Sequence, residues 1–219
     1  MATAARHPGP SPWRIAAARW PRSLMRWRSA GPSSSSEPRS AASWGGEFAL
    51  AYPERTRAVV MLNTPVHASQ RGFGDRFIAW GARRLHRMGV FVQGTAKSFF
   101  LPETIASSGP ALEAFRRHLR EANGAALATT VRSVLLEREP LAPRMRNIRA
   151  PVLFIAGSDD KMYPTDSLRE AAATLLQGRF EIVESAHISV VDAPQATTAL
   201  IDDFLSSLPA AALPQTLAQ

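Results

Sequence analysis

Ser43, Asp160 and His187 are residues whose types, order and settings could do chemistry together. A hydroxyl, a carboxylate and an imidazole are the parts of a nucleophile, an orienting acid and a general base. Ser43 stands in Ala41-Ala42-Ser43-Trp44-Gly45-Gly46, a small-x-Ser-x-Gly turn that runs straight into a helix. So sharp a turn admits only small residues at Ala41 and Gly45. It pushes the hydroxyl forward at a helix N-terminus, which favours developing negative charge. Asp160 stands in Gly157-Ser158-Asp159-Asp160-Lys161-Met162-Tyr163-Pro164. A carboxylate here can accept the proton of an imidazole and hold the productive tautomer. Asp159 is its rival, and the plainer reading of the segment is an acidic turn. Asp160 is preferred because it falls three residues after Gly157 and four before Pro164. His187 follows in Glu184-Ser185-Ala186-His187-Ile188-Ser189, ahead of Asp192-Ala193-Pro194, which opens a last helix.

The elements around these residues alternate. Trp44–Tyr52 reads as a helix ended by Pro53. Arg57–Asn63 and Pro151–Gly157 are short apolar runs rich in branched residues, the mark of buried parallel strands. Phe180–Val183 reads as a third strand, and Asp166–Leu176 and Ala196–Leu208 as helices. Between the first two strands, residues 65–146 have helical period, clearest over Phe73–Met88, Ala111–Ala122 and Leu127–Glu137. Strands alternating with helices, broken by one helical insertion, give an α/β architecture with a lid. The expected division is a leader over 1–40, a core made of 41–64 and 147–208, a helical cap over 65–146, and a frayed tail over 209–219.

Composition narrows the function classes. The 219 residues are 45% hydrophobic and 20% charged, ordinary for a globular protein. No apolar stretch reaches the roughly 20 residues that span a bilayer, so no membrane role is expected. Cysteine is absent and none of the five histidines has metal-ligand spacing. Neither a metal nor a cofactor is therefore expected. The net charge of +8 is uneven: residues 1–40 carry +6, 65–146 carry +7 and 147–219 carry −5. No nucleic-acid-binding module accompanies the basic stretches, so nucleic acid is not an expected partner. A small-molecule acyl substrate and a cytoplasmic location are expected.

From Ala41 to about Leu208 the sequence resembles the α/β-hydrolase superfamily. The resemblance rests on Ser43-Trp44-Gly45-Gly46 through Pro53-Glu54-Arg55, on Gly157-x-x-Asp160-x-x-x-Pro164, and on Ala186-His187 with Ala193-Pro194. It implies a partial, mostly parallel sheet with a helical cap inserted after the strand at Arg57–Asn63, and hydrolysis of an ester, lactone or similar acyl bond. Ser43 would attack, His187 would shuttle the proton, Asp160 would orient it, and the Trp44 backbone N–H would give half of an oxyanion hole. Serine at position 43 disfavours the relatives with an aspartate nucleophile, the haloalkane dehalogenases and epoxide hydrolases. The Ala-His-Ile-Ser stretch is similar to enol-lactonase-like members. Ser43-Trp44-Gly45 with Ala49-Leu50-Ala51-Tyr52 is also similar to prolyl aminopeptidases, but a +7 cap suits a carboxylate-bearing or neutral substrate better than an amine. Outside the enzyme class, a non-catalytic fragment or binding module is the alternative. Trp80, Phe99 and Phe100 are expected in the cap core, with a second role lining an acyl pocket. His67, His86 and His118 are read as surface or lid histidines.

The first forty residues have another texture. They hold seven arginines, one acid and three of the five tryptophans, with no sustained period. The family places about five strands, and the second oxyanion donor, ahead of the nucleophile. A transit peptide would explain the composition, yet its removal would leave a chain starting almost at Ser43. An out-of-frame reading fits better. TCN serine codons read two bases later become codons for Val, Leu, Ile or Phe, which turns Ser33–Ser36 into an apolar strand. AGC or AGT codons at Ser33–Ser36 would end that idea. On this expectation one oxyanion donor is missing, a loss of about 10²–10³ in kcat. Weak or no esterase activity follows, with an exposed strand edge and poor solubility.

Overall fold

Val152–Gly157 is six residues without a polar side chain, and every one is buried. Such a run suits the middle of a parallel sheet covered on both faces. In the computed structural model, which describes residues 44–67 and 72–209, this strand (β2) lies between Val59–Leu62 (β1) and Gly178–Val183 (β3). Both pairings are parallel, with Val59 opposite Val152 and Val152 opposite Gly178. Ser43, the leader over 1–40 and the tail from 210 lie outside the described residues.

Helices close both faces. On one face lie α1 (Trp44–Ala51) and α7 (Thr165–Ala173), where Ala49, Leu168 and Ala171 join Met61, Val152 and Phe154 in the larger core. Gly46 marks the contact of α1 with the sheet, because a Cβ there would overlap the Leu141 side chain and come within 2.9 Å of Met61 Cε. The other face packs Leu153, Ile155 and Val183 against Phe204 of the last helix, α9 (Pro194–Ser207).

Between β1 and β2 runs the helical insert: α2 (Phe73–Arg84), α3 (Gly89–Phe99), α4 (Pro102–Ser107), α5 (Pro110–Glu121) and α6 (Gly124–Leu135). Its two ends meet, since the Leu141 and Ala142 N–H groups both donate to the Val66 carbonyl at 2.8 and 2.9 Å. Pro102 and Pro110 begin α4 and α5, where the missing N–H costs nothing. Asn123 caps α6 by accepting from the Ala125 and Ala126 N–H groups.

The expected helix over Phe73–Met88 stops at Arg84, and the chain turns before α3 starts at Gly89. That turn buries His86, which is 7% exposed and so not a surface residue. Helices α3 and α4 were not among the expected elements. Strand β3 starts at Gly178, two residues before its first strongly apolar residue.

Candidate functional site

The carboxyl ends of the three strands and the loops after them converge on Asp160. Its side chain is fully buried and all its neighbours donate to it. Oδ1 accepts the Met162 N–H at 2.8 Å and the Tyr163 N–H at 3.3 Å. Oδ2 accepts the Asn63 amide at 3.0 Å and faces His187 Nδ1 at 3.0 Å. Burial pushes this carboxyl up. The His187 bond and charge, with the Met162 N–H and the Asn63 amide, outweigh burial and hold it below the usual aspartate value. With Asp160 ionised, Nδ1 carries the proton and Nε2 is left as the basic nitrogen. The neighbouring Asp159 accepts from the Ser158 hydroxyl and is exposed. His187 is thus paired with Asp160 and not with Asp159.

Asn63 follows β1 in a left-handed conformation, with φ of 47°. Asparagine tolerates that region better than most residues. The turn drops its side chain between two loops, where the amide donates to Asp160 and, at 3.3 Å, to the Ala186 carbonyl. One residue therefore ties the acid loop to the histidine loop. Gly157 serves the same junction by being small. A Cβ there would overlap the Ala186 carbonyl and meet the Ser185 hydroxyl oxygen at 2.8 Å.

The His187 ring sits between two aromatic side chains. Phe99 meets it edge-on with centroids 5.1 Å apart, and Tyr163 is tilted against it at 5.4 Å. Burial raises the Tyr163 hydroxyl above its usual pKa, against the opposing pull of Arg138, whose guanidinium lies 5.7 Å from the ring. Arg138 is itself buried and spends its donors on the His67 and Val134 carbonyls. A cleft of about 430 Å³ opens beside the histidine loop, with Phe100 and Ile105 on its apolar wall and Lys97 and Lys161 at its margins.

The structure brings together Asp160, His187 and Phe99, and puts Phe100 in the adjoining core with Ala96 and Leu112. Trp80 stands apart. It is half exposed with its ring against Phe77, so the expectation that it fills the insert core fails. Trp44 is the first residue of α1, directly after Ser43. Asn63 and Tyr163 were missed. Asn63 lies 97 residues from the carboxylate it serves, with only its place at a strand end as a signal. Tyr163 lies inside the acid-loop motif Gly157-x-x-Asp160-x-x-x-Pro164, which gives it no role of its own. The described residues contain no group of His, Asp and Glu able to hold a metal ion, and no helix among them is long and apolar enough to cross a membrane.

No protein-family model matches the chain. It is 28% identical over 156 residues to 3-oxoadipate enol-lactonase 2 of Acinetobacter baylyi, matching 69% of this chain and 55% of that protein. Among solved structures, an enol-lactonase from Burkholderia xenovorans superposes with a TM-score of 0.68 at 20% identity, over 76% of this chain and 62% of that one. A hydrolase from Pseudomonas aeruginosa gives 0.67 at 26% identity with the same coverage, 76% and 62%. An esterase from Thermogutta terrifontis gives 0.66 at 18%, again over 76% and 62%. The chain spans between 55% and 62% of the length of these relatives. The parallel three-stranded sheet, the helical insert after β1 and these likenesses agree: the chain carries part of the α/β-hydrolase fold.

Proposed function

We propose that the chain is an acyl-bond hydrolase of the enol-lactonase and esterase kind, acting through Ser43, His187 and Asp160. His187 Nε2 removes the Ser43 proton as the hydroxyl oxygen attacks the acyl carbon. The imidazolium that forms is stabilised by Asp160 and returns the proton to the leaving oxygen. Water, activated by the same nitrogen, then releases the acid. The Trp44 N–H, at the start of α1, donates to the oxyanion. Phe99 and Tyr163 hold the ring in its plane, and the cleft at Phe100 and Ile105 takes the acyl chain. The basic insert favours a carboxylate-bearing or neutral substrate.

The observation that carries this reading is the buried Asp160–His187 pair, 3.0 Å apart and set at the ends of β2 and β3. A fully buried carboxylate that takes three donors and still faces an imidazole is built to orient it. Hydrolysis of short p-nitrophenyl esters tests the reading. The expected result is weak turnover, lowered by the missing oxyanion donor, that disappears in Ser43→Ala and in His187→Gln. Turnover untouched by both substitutions would overturn it.

A further inference from the structure

Asp192 ends α8 (Ser189–Asp192), the four-residue helix after His187. Asp192 does not cap the helix that follows, because Ala193 holds the N-cap position of α9 and no side chain caps it. Its carboxylate points elsewhere. Oδ1 accepts the Thr104 hydroxyl at 2.6 Å, Oδ2 accepts the Ala186 N–H at 2.9 Å, and both oxygens share the Leu101 N–H at 3.3 Å. Two of these donors belong to the corner between α3 and α4 in the insert, and the third is the residue immediately before His187. On the other side of His187, the Ile188 N–H donates to the Phe99 carbonyl at 3.1 Å. The backbone is thus pinned to the insert on both flanks of the imidazole.

We propose that Asp192 is a positioning residue for His187, clamping the histidine loop to the α3–α4 corner; this rests on the reading of His187 as the general base. The insert then does more than cover the site, because one of its corners is part of the mount that aims the base. A carboxylate is required, since all three partners are donors and ionised acceptors bind them about twice as strongly as neutral ones. Asparagine has the same shape but must turn an amide N–H toward at least one of them. An imidazole displaced by even about 1 Å loses on the order of 10²-fold in rate, so a small release of the loop is felt at the base.

Proton NMR of the full chain reads this without turnover, through the His187 Nδ1–H shared with Asp160, assigned by its loss in His187→Gln. Asp192→Asn is expected to broaden that resonance and speed its exchange with water about tenfold or more, as the loop opens more often. Thr104→Val, which removes one donor at nearly constant shape, should move it in the same direction by less. Thr104→Ser, which keeps the hydroxyl, should restore the wild-type signal. Where the ester assay gives turnover, kcat should fall and KM should not. If Asp192→Asn does not fold, the Thr104 pair decides. An unchanged resonance in folded Asp192→Asn, or equal signals in Thr104→Val and Thr104→Ser, would overturn the inference and leave the acid–base pair standing. A folded wild type without the resonance would remove the Asp160–His187 bond, and with it both readings.

Discussion

Asp160 concentrates the electrostatics of the site. Its ionised form is favoured in the folded chain by His187, Met162 N–H and Asn63 despite burial. A carboxyl with a lowered folded pKa stabilises the fold fully above its unfolded value, roughly 3.9, and that contribution is lost as pH falls through the folded value. Urea unfolding of the wild type and Asp160→Asn from about pH 2 to 7 checks this. The wild type should lead above about pH 4, and the gap should close toward pH 2; a gap that widens on acidification contradicts the assignment. Asp160 and His187 were legible as a pair because each sits in a local motif, while Ser43, outside the described residues, rests on its motif alone. Asn63 and Asp192 were not, because their roles come from distant donors and acceptors: Ala186, 123 residues from Asn63, and Leu101, 91 from Asp192.

Strand ends explain why these residues meet. Three parallel strands deliver Asn63, the Gly157–Asp160 turn and the Ser185–His187 loop to one edge of the sheet. Their close approach depends on Gly157, where any side chain would strike the Ala186 carbonyl. Gly157→Ala should therefore cost about 1–3 kcal/mol and displace the histidine loop, since backbone and not a flexible tip must move. Equilibrium denaturation measures the cost, and an unchanged midpoint would show that the junction is looser than described. The strands were legible as apolar runs and most of the larger helices as periodic segments, though not the eleven-residue α3. The short α4 was not, with one turn and a half and no buried residue of its own to impose a period. Nor was the break between α2 and α3, which follows from tertiary burial of His86 and not from local propensity.

On the scale of the molecule, the insert meets the rest of the fold at its base and at the α3–α4 corner, among other contacts. At its base Val66 and Leu141 are buried side by side, and Arg144 forms a two-bonded ion pair with Glu47 of α1. The partly exposed pair is worth about 1 kcal/mol or less. The apolar contact is the stronger one. Leu141, fully buried between Gly46 and the core, should cost about 2–5 kcal/mol on truncation to alanine, read from thermal or urea unfolding; a loss below about 1 kcal/mol would place the insert's anchor elsewhere. The second joint is the α3–α4 corner against the histidine loop, where Phe100 and Leu112 pack with Ile188 and Val191. The sequence suggested an inserted cap, but this second attachment could not be read from it, because it links residues about ninety apart through half-buried groups.

The central claim is that His187, held by Asp160, activates Ser43. Reaction of the full chain with a fluorophosphonate, followed by mass spectrometry of the peptides, tests it most directly, because a single covalent event suffices. The account predicts one adduct on Ser43, formed far more slowly in His187→Gln and absent in Ser43→Ala. A folded chain that reacts at another residue, or at Ser43 with the same rate when His187 is replaced, would contradict it.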